Sequence, residues 1–331
     1  MVHATAEKTR SQGPQTATRA ERRTAAQALP NTTARMVLRP GTAVLLRPDR
    51  SIQFGIHPGN AVVLPVPASV DPGQVLQVMM QARAGLTAED LAATLGYCGF
   101  TSVEAGSIAE ELTRAGVLVA TEEQAIPLLR FGKPSLALAD ALFTHGVKVD
   151  WLEAPRTTSE ARAGQVITSQ GRTARKDVLI LPGGLFPPPD VQFWLHEKLI
   201  PHYPTGVIDG CLTFGPLIIP GRTACLSCID QAYLERDALW RSTRAQATAR
   251  PVSYTTAEHG LLAEISTQII REHIIPWRDA GSDPAALPPL LTQRQFFDTT
   301  GFAIQPEEVR REPECVLCRM AEAGLGLDVA R

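Results

Sequence analysis

Residues 215–228 read Gly-Pro-Leu-Ile-Ile-Pro-Gly-Arg-Thr-Ala-Cys-Leu-Ser-Cys and end in a cysteine pair, Cys225 and Cys228. A second pair with the same spacing, Cys315 and Cys318, follows near the end of the sequence. Two-residue spacing lets both thiolates of a pair reach one metal ion, whereas a redox pair of this kind normally occurs singly. Four thiolates make a structural zinc site without an open coordination position. The spacing therefore predicts a structural Zn²⁺ ion that performs no chemistry.

The composition is that of an ordinary globular protein. The chain has 331 residues, enough for two domains with their own cores, and a formal net charge of −2. So small a charge gives no sign of nucleic-acid binding by bulk electrostatics. Six cysteines, four of them predicted metal ligands, fit a reducing compartment better than a disulfide scaffold. Since no apolar run approaches the ~20 residues of a membrane span, we expect a cytoplasmic protein.

The first 35 residues differ in composition from the remainder. They are rich in Thr, Ala, Arg and Gln and carry six basic and two acidic residues. Arg22-Arg23 is not followed by an apolar segment, which argues against a secretory or a twin-arginine signal. Residues 1–35 are therefore predicted to be a disordered basic tail.

Residues 36–120 have the pattern of a small winged-helix domain. Three short strands are predicted at Ala43–Leu46, Ile52–Ile56 and Ala61–Val66. Three helices follow, beginning near Asp71, near Thr87 and near Ser102. Thr87 is a candidate N-cap, and Gly116 is a candidate C-cap ahead of a last short strand at Val117–Val119.

Residues 125–331 begin with alternating strands and helices. Strands are predicted at Ile126–Phe131, Val147–Leu152, Asp177–Leu181 and Thr205–Asp209, with helices at Ser135–Thr144 and Val191–Leu199 between them. Repeated β-α-β units indicate a parallel sheet with helices on its faces. One long helix, from about Ala257 to Ile275, precedes the second cysteine pair.

The second part of the chain resembles the ThiF-like adenylyltransferases, the family of ubiquitin-activating and sulfur-carrier-activating enzymes. The resemblance depends on the apolar strand at Asp177–Leu181, on Gly215–Gly221 leading into the first cysteine pair, and on the second pair. It covers about 60% of the chain and implies a Rossmann-like α/β domain with a structural four-cysteine zinc site.

Active members of that family bind ATP on a glycine-rich loop after the first strand, where glycines let the backbone approach the phosphates. The corresponding loop here is Gly132-Lys-Pro134-Ser-Leu-Ala, which keeps only the first glycine. Pro134 lacks the N–H donor and fills space that a phosphate would need. Asp150 or Glu153 could hold a ribose, but each is equally a surface carboxylate. We therefore expect a degenerate domain, with a vestigial loop at Gly132 and Pro134, and the sequence argues against ATP as a cofactor.

Degenerate ThiF-like domains of this kind occur in the biosynthesis of ribosomally synthesised, post-translationally modified peptides, together with YcaO cyclodehydratases. Residues 36–120 resemble the PqqD-like winged-helix module, which captures the leader of a precursor peptide. The resemblance implies a non-catalytic protein that presents a precursor leader peptide to a YcaO-type or other modifying enzyme, and it allows a homodimer. The leader would bind by β-augmentation between the third strand and the third helix. The implied contact residues are Val62, Leu64, Glu104, Ile108, Glu111 and Leu112.

Other interpretations of the same residues remain open at this point. The apolar candidates are more typical of core packing, and the glutamates are more typical of a solvated helix face. An active adenylyltransferase with an unusual ATP loop is one alternative. A zinc-stabilised regulator that binds another protein or DNA is a second, although three acidic residues and one basic residue in Ser102–Arg114 make that helix a poor neighbour for phosphate. Cys98 and Cys211 are predicted to be inert, and His196 and His202 to lie at the surface.

Overall fold

The computed structural model describes residues 35–120, 124–154, 177–250 and 253–326. The chain divides between Glu122 and Glu123 into two compact units, called unit 1 and unit 2 in chain order. The basic tail was predicted over residues 1–35. Residues 1–34 lie outside the described residues, and Arg35 begins a strand. Within the described ranges, no helix is both long and apolar enough to cross a membrane.

Unit 1 contains short strands and three helices in its described residues. The strands are β1 (Arg35–Leu38), β2 (Val44–Leu46), β3 (Ile52–Phe54), β4 (Val62–Leu64), β5 (Leu86–Thr87) and β6 (Leu118–Ala120). The helices are α1 (Pro72–Gln81), α2 (Ala88–Tyr97) and α3 (Ser102–Arg114). Two antiparallel sheets result, one ordered β5-β1-β6 and the other β2-β3-β4.

Local sequence signals set the ends of the unit 1 helices. The Thr87 side chain accepts from the Asp90 backbone N–H while the Asp90 carboxylate accepts from the Thr87 backbone N–H, which is a capping box. Thr101 and Glu104 form the same arrangement at the start of α3. Beyond α3, Gly116 has a φ of 69°, a left-handed conformation that glycine adopts without steric cost. The N-cap at Thr87 and the turn at Gly116 agree with the sequence pattern.

Strands β1 and β5 were not predicted. In β1, Met36 and Leu38 are buried in the core of unit 1 while Arg35 is exposed, which is the alternation of a half-buried strand. This four-residue strand directly follows the basic, low-complexity segment. Its alternation of exposed and buried residues is too short to predict a strand from the sequence. Strand β5 has only two residues and owes its conformation to pairing with β1.

Unit 2 is a mixed α/β structure. Its described strands are β7 (Gln124–Leu129), β8 (Val147–Leu152), β9 (Leu179–Pro182), β10 (His202–Ile208), β11 (Cys211–Phe214), β12 (Arg294–Asp298) and β13 (Ala303–Glu307). Its described helices are α4 (Lys133–Thr144), α5 (Pro189–Glu197), α6 (Leu226–Arg236), α7 (Trp240–Ala249), α8 (Thr256–Ile269), α9 (Ile275–Asp279), α10 (Pro289–Thr292) and α11 (Val316–Gly324). In this part of the chain, the strands form one sheet ordered β13-β12-β11-β10-β9-β7-β8.

The prediction of a parallel sheet is correct for only part of the sheet. Strands β8, β7, β9 and β10 are parallel neighbours, whereas β11, β12 and β13 are antiparallel. The chain reverses direction between β10 and β11 at Asp209-Gly210, where the φ angles are 50° and 80° respectively. Such a two-residue Asp-Gly turn joins adjacent strands as a tight hairpin. The edge strand β13 contains Pro306, which has no N–H to offer to a further strand.

Both faces of the unit 2 sheet are covered. Ile180 of β9 belongs to a core cluster that includes residues of α4 and α8, whereas Leu179 and Leu181 belong to a second cluster with residues of α5. The alternation of buried residues along β9 therefore places helices on opposite faces. The predicted helix from Ala257 to Ile275 is interrupted by a π-helical turn, Ile270–Ile274, before Pro276. Because Pro276 has no backbone N–H, it cannot donate the α-helical hydrogen bond, which accounts for an irregular turn at this place.

His196 and His202 were expected at the surface, and this prediction was wrong. Both side chains are buried, and their ring centroids lie 5.7 Å apart. Each Nδ1 lies within hydrogen-bonding distance of a backbone carbonyl oxygen, that of Gln192 at 2.8 Å and that of Ile200 at 2.9 Å. Pro201 suggested a loop, but His202 is the first residue of β10, in which the first six residues are buried. Burial, together with the neighbouring His196, lowers the pKa of His202 to about 3.

We expect stability to fall in mild acid because of His202. Its pKa in the folded protein lies below the value of about 6.5 in the unfolded chain, so the unfolded chain binds the proton first. The contribution of His202 is therefore intact above about pH 6.5 and declines as the pH falls towards 3. Between pH 7.5 and 5.0 the loss amounts to about 2 kcal/mol, measured as the free energy of unfolding in urea.

The variant His202→Asn keeps a donor for the Ile200 carbonyl but does not titrate. Its unfolding free energies at the two pH values should differ by about 2 kcal/mol less than those of the wild type. The exposed residue His57 provides the matched control, His57→Asn. An unchanged pH dependence in His202→Asn would show that the interior histidine does not control acid stability.

Candidate metal centre and nucleotide-loop region

The structure brings the four paired cysteines together in unit 2. Their sulfur atoms all lie within 4.8 Å of one another, and all four residues are buried. The Sγ of Cys225 lies 3.7 Å from that of Cys228 and 3.6 Å from those of Cys315 and Cys318. Because the two pairs are separated by 90 positions, only the tertiary fold can create this cluster.

Two helices present their amino ends to the cluster. Cys225 is the N-cap of α6 and Cys315 is the N-cap of α11, so that Cys228 and Cys318 fall in the first turns. The positive end of a helix dipole favours the thiolate form of a nearby cysteine. In addition, the backbone N–H of Glu312 donates to the Sγ of Cys228 at 3.4 Å. The local environment is therefore suited to negatively charged sulfur.

Gly221 allows α11 to approach the loop ahead of the first cysteine pair. Its φ is 75°, and a Cβ at this position would lie 3.0 Å from the backbone nitrogen of Glu322. Any larger residue would push α11 away from the loop. The glycine in the Pro-Gly sequence before the first pair thus has a packing role: it lets the helix that carries Cys318 come close.

The cluster fits a tetrahedral metal ion. With Zn–S bonds of about 2.3 Å, the sulfur atoms of a tetrahedral site are about 3.8 Å apart, close to the 3.6–3.7 Å found here. Without a cation the four thiols cannot all ionise: hydrogen bonds with the neighbouring sulfurs raise the pKa of Cys225 far above its usual range. A bound divalent cation would hold all four as thiolates. The surrounding apolar residues include Ile218, Leu226 and Ile229, and leave the cluster closed to solvent.

The loop of Gly132 and Pro134, which the sequence suggested to be a vestigial nucleotide loop, lies between β7 and α4, and its backbone is bound by its own side chains. Gly132 is the N-cap of α4 with φ of 78°. The hydroxyl of Ser135 is buried; it donates to the carbonyl oxygen of Leu129 at 2.9 Å and accepts from the N–H of Phe131 at 2.8 Å. The Ser135 hydroxyl thereby provides hydrogen-bond partners for two backbone groups of the turn, the N–H of Phe131 and the carbonyl of Leu129. The sequence offered no signal for this role beyond the position of a serine in the first turn.

Side chains fill the space at the carboxyl ends of β9 and β10. A Cβ on Gly183 would lie 3.2 Å from Pro134, and one on Gly206 would lie 2.7 Å from Leu185 and 3.1 Å from the hydroxyl of Tyr254. In open α/β sheets, ligands bind at this edge of the parallel strands. Here it is packed with protein, and Tyr254 was not anticipated because nothing in its local sequence marks it.

The two carboxylates considered for a ribose have different surroundings. Asp150 is buried within β8. Glu153 is exposed just after β8 and accepts a hydrogen bond from the Nε of Arg130 at 2.8 Å. The guanidinium of Arg130 also lies 4.2 Å from the centre of the Trp151 ring. Glu153 therefore already has a cationic partner.

The candidate peptide contacts all lie in unit 1, and they differ in exposure. Leu64, Ile108 and Leu112 belong to its core cluster, and Val62 is half-buried against it. Glu104 is exposed and caps α3, where hydrogen bonds with Thr101 lower the pKa of its carboxyl. Glu111 is exposed on α3. The sequence pattern placed these residues on the correct elements.

Comparisons with known proteins give a likeness of fold. No family model matches the chain, and no curated protein matches it. Among solved structures, the heterocyclase TruD is 14% identical, with a TM-score of 0.53, over 86% of this chain and 43% of its own. A heterocyclase in complex with substrate and cofactor is also 14% identical, with a TM-score of 0.56, over 86% of this chain and 40% of its own. E. coli MccB with ATP is 10% identical, with a TM-score of 0.47, over 86% of this chain and 99% of its own.

The two heterocyclase structures thus share their fold with this chain. The chain spans less than half the length of either of them. At 14% identity the likeness concerns the arrangement of elements alone.

Removal of a single sulfur ligand should release the metal. We expect about one zinc ion per chain in the purified protein, and its loss in Cys225→Ser together with about 4 kcal/mol or more of stability. Zinc is measured by elemental analysis and stability by chemical unfolding. Cys211→Ser, at a half-buried cysteine outside the cluster, is the control and should keep its zinc. A Cys225→Ser protein with full zinc content would refute the four-thiolate assignment.

Proposed function

We propose that the chain is a non-catalytic, cytoplasmic leader-peptide-binding protein in the biosynthesis of ribosomally synthesised, post-translationally modified peptides. It captures a precursor through unit 1, a PqqD-like winged-helix module, and presents it to a YcaO-type or other modifying enzyme. Unit 2 is a degenerate, Rossmann-like ThiF domain stabilised by zinc on Cys225, Cys228, Cys315 and Cys318. The main support for this proposal is that strand β4 lies at the edge of its sheet, with no strand beyond it among the described residues.

The hydrogen-bonding pattern of β2-β3-β4 determines which groups this edge offers. The N–H of Gly55 donates to the carbonyl of Ala43, and the N–H of Arg47 donates to the carbonyl of Ser51. Residues 51, 53 and 55 of the β3 segment therefore direct their backbone groups towards β2, and residues 52 and 54 direct theirs towards β4. Since Gln53 is opposite Val63, the N–H and C=O of Val63 point away from the sheet. β4 has a neighbouring strand on one side only among the described residues.

An extended peptide can add to this edge as a further strand. Val63 would supply a backbone donor and acceptor, and its side chain is 41% exposed. Leu45, on the same outward face of the sheet two strands away, is also 41% exposed. The peptide would thus gain main-chain hydrogen bonds and an apolar surface for alternate side chains.

The six candidate contacts take separate roles in this proposal. Val62 belongs to the accepting strand, and Glu104 and Glu111 provide charge on the exposed surface of α3. Leu64, Ile108 and Leu112, being core residues, hold the strand and the helix in place beneath the peptide.

The packing at the vestigial loop supports a role without nucleotide chemistry. Pro134 and Tyr254 take the space that phosphates would need beside Gly183. The backbone N–H of Phe131 already donates a hydrogen bond to the hydroxyl of Ser135. The shared fold with the heterocyclases supports the assignment to peptide modification. We therefore assign the catalytic step to a separate enzyme.

The proposal is tested with the peptides encoded beside the gene, each labelled with a fluorophore and titrated with the whole chain. Binding of one of them is expected. Val63→Pro should weaken it by about tenfold or more, because the outward N–H is lost while the pairing of β4 with β3 is kept. Val63→Ala, which retains the N–H, is the matched control and should have the smaller effect. If no peptide binds, or if Val63→Pro binds like the wild type, the proposal fails.

A separate assay addresses the active-adenylyltransferase alternative. The whole chain is incubated with ATP, labelled pyrophosphate and the bound peptide, and exchange of label into ATP is followed. We expect no exchange above a protein-free blank. Exchange that disappears in the peptide's absence would establish adenylation and overturn the non-catalytic assignment.

A further inference from the structure

Arg311 lies in the segment that leads into the second cysteine pair. Its guanidinium Nη2 forms an ion pair with a carboxylate oxygen of Glu322 on α11. Cys318 and Glu322 are one helical turn apart in α11, so their side chains lie on the same face of the helix. The side chain that reaches Glu322 therefore lies beside one of the four candidate metal ligands.

One N–H group of Arg311 has no ordinary acceptor. Its Nε atom is buried and has no hydrogen-bond partner of normal geometry among the described residues. The sulfur of Cys318 is nevertheless close enough to act on the guanidinium. Burial by itself would lower the pKa of Arg311, but the interactions with the Glu322 carboxylate and with the Cys318 sulfur raise it overall. Because a buried N–H without an acceptor is costly, a stronger acceptor at this place would be stabilising.

The next residue along the chain already contacts the cluster in a similar way. The backbone N–H of Glu312 donates to the Sγ of Cys228 at 3.4 Å. Arg311 and Glu312 thus approach one sulfur atom from each cysteine pair. A neutral thiol is a weak acceptor, whereas a thiolate is charged and accepts strongly. A bound divalent cation would hold Cys318 as a thiolate.

We propose that Arg311 donates its Nε–H to the Cys318 thiolate when a metal ion is bound, and that it thereby raises the metal affinity of the four-cysteine site. This inference rests on the proposed zinc site and adds a residue outside the four ligands that controls it. Four thiolates around one Zn²⁺ leave a net negative charge. The Glu322 carboxylate adds to that charge, and Arg311 is a cation that contacts both groups.

The zinc affinity of the whole chain, measured by competition with a chromophoric chelator, tests the proposal. In Arg311→Met, which keeps an unbranched side chain but loses every donor, the Kd for zinc should rise about tenfold or more. Arg311→Lys keeps the charge and should recover part of that loss, whereas a role in packing alone would make the two variants alike. Arg310→Met is the matched control, at an exposed residue that pairs with Glu308, and should bind zinc like the wild type.

A double variant separates the contact with sulfur from simple neutralisation of Glu322. If Arg311 only balances the carboxylate, Arg311→Met combined with Glu322→Gln should bind zinc as tightly as Glu322→Gln alone. We expect the double variant to remain about tenfold weaker. Equal affinities in that comparison, or a wild-type Kd in Arg311→Met, would overturn the proposal. A wild-type chain that binds no zinc would instead refute the four-cysteine site on which the proposal rests.

Discussion

The convergence of four thiols is the constraint on which unit 2 depends. Cys225 and Cys318 lie on different helices and are 93 positions apart, yet their sulfur atoms are 3.6 Å apart. A metal ion bound there would close a loop that contains α7, α8 and the strands β12 and β13. Closing so long a loop carries an entropic cost that metal–thiolate bonds are strong enough to offset. A bound metal ion would thus hold the two cysteine pairs of unit 2 together.

Units 1 and 2 differ in how they use their strand edges. In unit 2 the carboxyl ends of the parallel strands, where α/β proteins usually bind ligands, are packed with Pro134, Leu185 and Tyr254. In unit 1 the edge of β4 offers the backbone groups of Val63 to a further strand. Side chains thus pack against the glycines at the carboxyl ends of β9 and β10 in unit 2, whereas β4 of unit 1 is paired on one side only among the described residues.

Features specified by a few neighbouring residues could be predicted from the sequence. The capping box at Thr87, the turn at Gly116, strand β8 and the pairing of cysteines by spacing all belong to this group. Features that depend on distant packing could not. His202 is interior because β9 and the segment at Ile218 flank it, although its neighbour Pro201 suggests a loop. Tyr254 fills the sheet edge only because the chain returns there after α7.

The open edge of β4 also bears on how the protein behaves at high concentration. Its outward N–H and C=O groups can pair with the same edge of another copy, which is how unprotected strands start edge-to-edge aggregation. Strand β13 at the edge of the other sheet is protected in part by Pro306, whereas Val63 has no such neighbour within β4. The backbone groups that would pair with a peptide in the proposed function would therefore also pair with a second copy of the peptide-free protein. A bound peptide would act as its solubilising cap, and the complex would tolerate crowding better than the free chain.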